Sequence, residues 1–429
     1  MKTVSFATLG CKVNQYETEA MTKMFQNAGY TVKEFTEVCD IYIINTCTVT
    51  GMGERKSRQM IGRAHKLNPD AFIAVVGCYS QVSPEEVSAL SGVSLVLGTK
   101  DRSNIVNLCE KAMTDADKLV CVDNIMKQRT YEDMEVPSYS SRTRAFVKIE
   151  DGCNEFCTYC IIPYARGPVR SRSIESIVKE VRQLAQNGFS EIVLTGIHLA
   201  SYGKDLKTHS LIDVIRAVAK IDGIERIRLG SVEPRLLTEE FVREIAGIDK
   251  MCDHFHIALQ SGSEETLKRM NRKYTAKEYA HGVALVRKYF ENPAIATDIM
   301  VGFPGETEEE FNESLGFAVS IAFADAHVFA YSNRKGTKAD LFPDQVPKAE
   351  KEKRSKLLIS ALKKTQKEYL KSQLGKTARV LFEQAVEDGI YEGHMTNYVK
   401  VRMKSDTDLS GSFADVKLAK IEKDYIIAE

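Results

Sequence analysis

The feature that most constrains the fold of this chain is an alternation of short apolar runs with helical segments across its central part. The strand-like runs cover residues 145–149, 192–194, 227–229, 255–259, 295–301 and 326–330. Helical patterns separate them, for example at residues 174–186, 211–219, 279–290 and 308–321. Six β/α units in this order predict a parallel barrel that stops short of the usual eight strands and is therefore open. The chemistry of such a barrel lies at the carboxyl ends of its strands.

A cysteine-rich loop follows the first of these strands. Cys153, Cys157 and Cys160 are spaced C-x3-C-x2-C in a segment that also contains glycine and two aromatic residues. A [4Fe-4S] cluster normally takes four thiolates, so three leave one iron open for a non-protein ligand. In a loop of this spacing the open iron can chelate S-adenosylmethionine (SAM), whose sulfonium an electron from the cluster then cleaves. The alternatives are a zinc site, which usually needs a fourth Cys or His, and three unrelated buried thiols.

A second set of three cysteines is dispersed over the first 78 residues. Cys11, Cys47 and Cys78 each follow a short apolar run, and helical stretches lie between the runs. This pattern predicts a parallel α/β sheet, in which the strands share one carboxyl edge where ligands bind. The three cysteines can therefore converge on a second [4Fe-4S] cluster, again with one iron open. The alternative is that they are small buried core residues, which is the expected role of the remaining four cysteines, Cys39, Cys109, Cys121 and Cys252.

The segments around both sets resemble the radical SAM methylthiotransferase family over nearly the whole chain. Residues 9–15, 45–50 and 76–78 are similar to the amino-terminal domain of that family, and residues 160–172 to its radical SAM signature. Lys12-Val13-Asn14 and Thr46-Cys47-Thr48-Val49-Thr50 most resemble the subgroup that methylthiolates N6-threonylcarbamoyladenosine at position 37 of tRNA.

The resemblance implies a tRNA-modifying enzyme with two [4Fe-4S] clusters that uses two SAM molecules per product. The barrel cluster would generate the radical that removes hydrogen from carbon 2 of adenosine 37, and the amino-terminal cluster would carry the sulfur. The anticodon loop of tRNA is the expected partner, with a flavodoxin or ferredoxin as electron donor. The sulfur donor and the catalytic side chains stay unassigned. Three alternatives remain open: isopentenyladenosine 37 as substrate, a ribosomal-protein aspartate as substrate, and an RNA-binding iron-sulfur protein without turnover.

Four glycine-containing or polar segments just past barrel strands are expected to contact SAM. The resemblance marks these segments as the cofactor-contacting motifs of a radical SAM barrel, although any single glycine could merely turn the chain. The predicted contact residues are Tyr159, Gly196, Glu233, Gln260 and Phe303.

Local basic segments are the candidates for RNA binding, because the total charge cancels at 59 basic against 59 acidic residues. Arg166, Arg170 and Arg172 are predicted to contact phosphate or the threonylcarbamoyl carboxylate, with structural salt bridges as the alternative. Residues 348–371 form a helical pattern with nine Lys or Arg against three acids, which suits either solvation or a phosphate backbone. Short alternating strands after Gly375 predict a small β-barrel that resembles the RNA-binding TRAM domain.

Composition and pattern changes together predict an α/β protein of three domains. These are an amino-terminal parallel-sheet α/β domain (residues 1–120), a central partial (β/α)6 barrel with its basic helix (141–370) and a carboxyl-terminal all-β barrel (371–429), with a linker at 121–140. No apolar stretch of about 18 residues and no signal-peptide pattern is found, so we expect a cytoplasmic protein without a membrane partner. In that reducing compartment, cysteines serve as ligands or buried thiols rather than disulfides.

Overall fold

The computed structural model of the protein describes residues 2–115, 117–136, 139 and 143–429. Residues 137, 138 and 140 of the predicted linker lie outside the described residues. The amino-terminal domain is a parallel sheet with strand order β2-β1-β3-β4-β5-β6. Its strands are β1 (Thr3–Thr8), β2 (Thr31–Lys33), β3 (Ile41–Thr46), β4 (Phe72–Gly77), β5 (Val93–Leu97) and β6 (Leu119–Cys121). Its helices are α1 (Lys12–Asn27), α2 (Gly51–Leu67), α3 (Cys78–Val82), α4 (Pro84–Ser88) and α5 (Ile105–Asp115).

The sheet is buried on both faces, which explains why its strands are continuous apolar runs. Every residue of β3 is buried, and alternate residues of β3 and β4 pack into two separate cores. Cys47 and Cys78 directly follow β3 and β4, whose last residues Thr46 and Gly77 are partners in the register. The sheet therefore places these cysteines side by side at its carboxyl edge, and Cys11 follows the neighbouring strand β1.

The central domain is the predicted open barrel. Its strands are β7 (Arg144–Lys148), β8 (Glu150–Asp151), β9 (Arg170–Ser171), β10 (Glu191–Thr195), β11 (Arg226–Leu229), β12 (His254–His256), β13 (Ala294–Val301) and β14 (Asp325–Ala330). Its helices are α6 (Ile162–Arg166), α7 (Ile174–Gln186), α8 (Leu211–Ala219), α9 (Glu239–Ala246), α10 (Glu264–Arg269), α11 (Ala276–Tyr289), α12 (Glu308–Ile321) and α13 (Lys348–Lys371). Parallel pairs and bridges run in the order β7-β10-β11-β12-β13-β14, one strand for each predicted run, while β8 and β9 form a separate two-stranded ribbon.

Alternation along the strands divides the barrel into an outer and an inner face. Ile192, Leu194, Ile227 and Leu229 belong to the core that packs against the helices. The residues between them therefore face the interior of the barrel, which we call the lumen. Its lower part holds charged side chains, among them Glu191, Arg226 and Arg228.

The amino-terminal domain covers the open side of the barrel between β7 and β14. On the β7 side, Lys148 Nζ donates to Glu17 Oε1 of α1 at 2.8 Å. On the β14 side, Arg334 contacts Thr48 and Glu54. The sheet edge with the dispersed cysteines is therefore held against the barrel on both sides of its gap.

The carboxyl-terminal domain is the predicted small β-barrel, closed in the order β15-β16-β17-β19-β18. Its strands are β15 (Thr377–Glu387), β16 (Ile390–His394), β17 (Lys400–Lys404), β18 (Phe413–Glu422) and β19 (Tyr425–Ala428). It sits at the amino-terminal end of the central barrel strands, where Arg226 donates to the carbonyl of Arg379 at 2.6 Å and Arg228 to that of Thr396 at 2.8 Å. It closes the floor of the lumen, opposite the cysteine loop. Within the part of the chain that the structure describes, no helix has the length and apolar character needed to span a membrane.

Candidate active site

The cysteine loop is fixed by backbone hydrogen bonds to its surroundings. The amide of Cys153 donates to the carbonyl of Gly167, and that of Thr158 to the carbonyl of Met270, each at 3.0 Å. The amide of Cys160 donates to the carbonyl of Cys157 at 3.0 Å, which folds the last two cysteines onto one turn. Because both ends of the loop are tied down, the three thiols are directed to one place.

The three thiols of the loop influence one another electrostatically, so they lie close together. Burial, together with the nearby Cys157 thiol, raises the pKa of Cys160 to about 12. Burial likewise raises the pKa of Cys153 well above its usual range, with Cys160 and Cys157 adding to the effect. The Arg272 guanidinium donates to Cys157 Sγ at 3.2 Å. This contact places a positive charge beside one of the three loop thiols.

A cluster of possible metal ligands beside this loop is an ion-pair network instead. Ligand atoms of Glu155, His198 and Glu233 lie within 4.8 Å of one another. However, Arg235 Nη2 lies 2.9 Å from Glu155 and 2.8 Å from Glu233, so a guanidinium already balances the two carboxylates. Among the described residues around this loop, the donor set that fits an iron-sulfur cluster is therefore the three thiols.

The dispersed cysteines converge as the sheet predicts. A Cβ added at Gly10, next to Cys11, would lie 3.1 Å from Cys47 Sγ, so the chain around Cys11 passes directly over Cys47. Burial raises the pKa of Cys78 to about 11, and Cys11 and Cys47 both contribute. Cys78 is buried and Cys11 is exposed, so the set opens to solvent on one side. Three thiols with an open side fit a cluster that has an exchangeable ligand.

Arg166 links the two cysteine sets. It lies six residues after Cys160, and its Nε donates to Cys78 Sγ at 3.2 Å. Its Nη2 donates to Asn14 Oδ1 at 2.6 Å and to Glu17 Oε2 at 3.0 Å. One fully buried side chain from the barrel thus contacts a cysteine of the sheet.

A buried ionic network surrounds Arg166. Its acids are Glu17 and Asp151, and its cations are Arg102, Lys148, Arg166 and Arg170. Burial opposes ionisation of Glu17, but Arg102, Arg166 and Lys148 lower its pKa to about 2. Each of the four cations contacts at least one of these acids, and Arg102 also lies 3.1 Å from Glu132, so no ion of the network is isolated between the domains.

The prediction that Arg166, Arg170 and Arg172 contact RNA is wrong. All three side chains are at most 3% exposed. Arg170 Nη1 donates to the carbonyl of Arg166 at 2.8 Å, while Arg172 pairs with Glu180 and lies 2.8 Å from Asp133. Their partners are distant in sequence, so a local pattern could not separate a structural salt bridge from an RNA contact.

Comparison with known proteins identifies the family. The sequence matches the Radical SAM superfamily over residues 147–318 and the uncharacterized protein family UPF0004 over residues 3–98. It is 43% identical to threonylcarbamoyladenosine tRNA methylthiotransferase MtaB of Bacillus subtilis, over 99% of this chain and 95% of the relative. The chain belongs to the radical SAM methylthiotransferase family.

Other members of the methylthiotransferase family match nearly as fully. MtaB of Aquifex aeolicus is 40% identical over 88% of this chain and 92% of that protein. The tRNA-2-methylthio-N(6)-dimethylallyladenosine synthase of Acetivibrio thermocellus is 36% identical over 97% of this chain and 88% of that protein. The radical SAM methyltransferase TsrM of Kitasatospora setae shares the fold, with a TM-score of 0.59 and 15% identity over 79% of this chain and 77% of that one.

Members of this radical SAM family use SAM and [4Fe-4S] clusters as cofactors. The predicted SAM-contact residues all lie in or just past the elements at one edge of the barrel. Tyr159 makes an edge-to-face contact with Phe303 at 6.3 Å. Glu233 accepts from Arg235, and Gln260 adopts a positive φ of 65°. A Cβ at Gly196 would meet Glu150 at 2.7 Å, so close packing alone requires this glycine.

Phe303 differs from the other predicted SAM-contact residues, because its side chain is not accessible to a ligand. It is fully buried and makes edge-to-face contacts with Tyr331 and Phe342. A ring enclosed on all sides belongs to the core, so any contact of this residue with SAM involves its backbone.

Sequence reasoning missed a group of polar residues in the lumen. His256 Nε2 lies 3.3 Å from Asp298 Oδ2, and both side chains are about one-third exposed, at 30% and 32%. Lys12 is partly buried, and burial together with Arg228 and Arg144 lowers its pKa to about 8. One sequence signal could have identified them: strands such as β12 have a polar residue at every second position. A parallel strand that is buried in an apolar core on both faces would not have this pattern.

Proposed function

We propose that the protein methylthiolates carbon 2 of N6-threonylcarbamoyladenosine at position 37 of tRNA. The observation that carries the proposal is the contact between Arg166, which follows the loop cysteines, and Cys78 of the dispersed set. This contact supports the placement of both three-thiol sites at one edge of the barrel. A reaction that uses both a radical and a sulfur carrier requires such a placement. Three relatives named MtaB, at 35–43% identity, favour threonylcarbamoyladenosine as the substrate.

In this proposal the cysteines have two separate tasks. Cys153, Cys157 and Cys160 would hold the barrel cluster with SAM, and Cys11, Cys47 and Cys78 would hold the sulfur-carrying cluster. When bound, these groups supply one-electron chemistry, which carbon 2 needs because it has neither an acidic proton nor a leaving group. Arg272 and the buried Arg166 each place a positive charge beside one thiol of one set.

We further propose that the tRNA anticodon loop enters at this edge, since its unstacked bases can be splayed into a pocket. Helix α13 is the better candidate for phosphate contacts, because Lys356, Lys363, Lys364 and Lys367 are exposed and form no ion pair with any residue that the structure describes. We also propose three domains with the boundaries expected from the sequence, the last of them, residues 371–429, being a TRAM-like domain. A cytoplasmic location and a flavodoxin or ferredoxin reductant complete the proposal.

The test is nucleoside mass spectrometry of tRNA from a strain that lacks this gene. We expect loss of the 2-methylthio derivative of threonylcarbamoyladenosine and accumulation of its unmethylthiolated precursor. The wild-type gene should restore the product, and a Cys157→Ala gene should not. Loss of the methylthio derivative of dimethylallyladenosine instead, which the 36% identity to such a synthase makes the second candidate, would replace the proposed substrate.

A further inference from the structure

We propose that Phe156 and Tyr164 form a stacking surface for a nucleobase that flanks position 37 of the bound tRNA, while Lys335 and Lys338 contact its phosphates. The inference rests on the proposed function and names the surface that holds its substrate. We call Phe156 and Tyr164 the entrance pair. Neither residue is among the predicted ligands of a cluster or the predicted contacts of SAM.

The entrance pair is a patch of exposed aromatic surface beside the cysteine loop. Phe156 lies within the loop, between Cys153 and Cys157, and Tyr164 follows Cys160 by four residues. The two residues are 37% and 44% exposed, and their rings make an edge-to-face contact with centroids 5.9 Å apart. Single exposed apolar residues are normal in proteins, but two aromatic rings in contact offer a ligand a larger surface.

Helix α6 directs Tyr164 and Arg166 to opposite sides. Arg166 is fully buried and contacts Cys78, whereas Tyr164, two positions earlier in the chain, is exposed. Two positions correspond to a rotation of roughly 200° about the axis of an α-helix. The helix that contacts the amino-terminal domain through Arg166 therefore presents Tyr164 to solvent at the same end of the barrel.

Phe156 adopts a backbone conformation that a phenylalanine disfavours. Its φ is +49°, in the left-handed region that favours glycine. The side-chain amide of Asn271 donates to the Phe156 carbonyl at 3.0 Å and so helps to fix this turn. Complete burial of the ring would explain the strain by packing, yet more than a third of the residue is exposed. Strain of this kind is typical of residues that the surrounding structure holds in place for a ligand.

The chain after β14 brings positive charge to the same entrance. The amide of Ala339 donates to the carbonyl of Thr158, in the cysteine loop, at 2.8 Å. Lys338 directly precedes Ala339, and Lys335 lies three residues before Lys338. Both lysines are exposed and form no ion pair with any residue that the structure describes. They can therefore bind phosphate without giving up a partner.

A single-stranded nucleic acid has both features that this surface fits. Its bases have flat faces that stack on aromatic rings, and its phosphates pair with lysines. Turning adenosine 37 out of the loop removes a stacking partner from each neighbouring base, and the entrance pair can replace that partner. A peptide that carries an aspartate has no such row of flat faces. The surface therefore favours the tRNA loop over a protein substrate.

The experiment combines a protein change with a substrate change. Anticodon stem-loops would carry threonylcarbamoyladenosine at position 37 and be intact, abasic at position 36 or abasic at position 38. Dissociation constants would be measured for the wild type, Tyr164→Ala, Tyr164→Phe and Tyr289→Ala. Tyr289 is the control, because it ends α11, which leads to the start of β13 at the opposite end of the barrel. Iron content and SAM cleavage without RNA would show that each variant is folded and loaded.

We expect Tyr164→Ala to raise Kd for the intact stem-loop about tenfold, as the loss of one stacked base does. Tyr164→Phe and Tyr289→Ala should stay within about twofold of the wild type. One abasic stem-loop should bind the wild type as weakly, and Tyr164→Ala should lose no further affinity for it. An unchanged Kd, or an equal added loss on all three stem-loops, would overturn the stacking role. A wild type that binds the intact stem-loop but forms no methylthio product from it would overturn the proposed function instead.

The substitution Phe156→Asn separates binding from folding, because asparagine tolerates a positive φ better than phenylalanine. The variant should unfold close to the wild-type temperature but bind the intact stem-loop about tenfold more weakly. Changing Lys335 and Lys338 together to Gln should lower the slope of log Kd against log salt concentration by about 1.4. An unchanged Kd for Phe156→Asn would remove Phe156 from the surface, and an unchanged slope would remove the two lysines.

Discussion

Among single residues, Gly152 is required by the geometry of the cysteine loop. Its φ is +87°, and an added Cβ would lie 2.1 Å from the carbonyl oxygen of Pro168. Gly188 has nearly the same φ, +86°, but a Cβ there would meet nothing within 4 Å. A comparison of substitutions at the two glycines therefore separates the effect of backbone strain from that of a steric clash.

We expect Gly188→Ala to lower the free energy of unfolding by about 1 kcal/mol through strain alone. Gly152→Ala should lower it by about 3 kcal/mol or more, because overpacking is added to the same strain. Thermal unfolding of the two apo-proteins measures the difference, and Gly152→Ala should also bind less iron. Equal destabilisation by the two substitutions would show that the loop tolerates a side chain at position 152.

Glu150, at the base of the same loop, should make stability depend on pH. Burial raises its pKa to about 8, and its Oε2 accepts from the amide of His198 at 2.7 Å. The unfolded chain releases this proton near pH 4.3. The folded state therefore holds one more proton between roughly pH 4.3 and pH 8. The contribution of this bound proton to the stability of the folded state is complete below that window and is lost as pH rises through it.

The substitution Glu150→Gln tests this dependence, because glutamine keeps an acceptor for His198 and cannot ionise. Relative to the variant, the wild type should lose stability by up to roughly 1.4 kcal/mol per pH unit within the window. Unfolding midpoints of both apo-proteins from pH 5 to pH 9 would be compared. Parallel profiles would mean that Glu150 stays ionised in the folded protein.

For the secondary-structure elements, the turn between β16 and β17 fastens the carboxyl-terminal barrel to the central one. The ring of Tyr398 stacks on His254 at 4.8 Å and on His394 at 4.6 Å. The guanidinium groups of Arg144 and Arg228 lie over the same ring at 4.9 Å and 4.7 Å. Through these contacts, the carboxyl-terminal barrel packs against the floor of the central barrel.

We expect Tyr398→Ala to destabilise the protein by about 2–4 kcal/mol, through lost ring and cation-π contacts. Tyr398→Phe keeps the ring and should change stability by less than about 0.5 kcal/mol. Denaturant unfolding of both variants is the measurement. If the alanine variant were as stable as the phenylalanine variant, the ring would contribute nothing to the domain contact.

Helix α13 carries the cations that we assign to RNA. The double change of Lys363 and Lys364 to Gln should flatten the salt dependence of tRNA binding by about 1.5 in the log-log slope, if both contact phosphate. A charge-matched control is the change of Lys268 and Lys288 to Gln, two exposed lysines paired with Glu265 and Glu239. Binding isotherms at several salt concentrations measure the slopes. Indistinguishable slopes for the two double variants would remove α13 from the tRNA interface.

The sequence was sufficient to predict these elements where one physical rule dominates. Parallel strands buried on both faces must be apolar, so β3 and β4 could be predicted from their apolar runs. The carboxyl edge that they share predicted where Cys47 and Cys78 meet. The lumen face of β12 could not be predicted from the sequence, because the apolar residues of a run do not show that His254 and His256 form a second, polar face of the strand. Phe303 was misassigned for a related reason, since a motif next to a strand does not show which way a side chain points.

Across the whole molecule, the arrangement of the domains could not be predicted. The pair between Glu17 and Arg166 joins residues separated by 149 positions, and no local pattern specifies it. The same contact explains why Arg166 was mistaken for an RNA ligand, since charge and spacing are the same for both roles. Burial decides between them, and burial depends on how the sheet covers the barrel gap.

The central claim is that two cysteine sets at one barrel edge perform two different tasks. The most direct test incubates reconstituted protein with SAM, a reductant and tRNA carrying threonylcarbamoyladenosine, and quantifies 5'-deoxyadenosine and the methylthio nucleoside together. Wild type and Cys109→Ala, a buried cysteine outside both sets, should yield both products. Cys157→Ala should yield neither. Cys47→Ala should still yield 5'-deoxyadenosine without methylthio product, and its iron should fall from about eight to about four per chain. Methylthio product from Cys47→Ala, or 5'-deoxyadenosine from Cys157→Ala, would contradict the account.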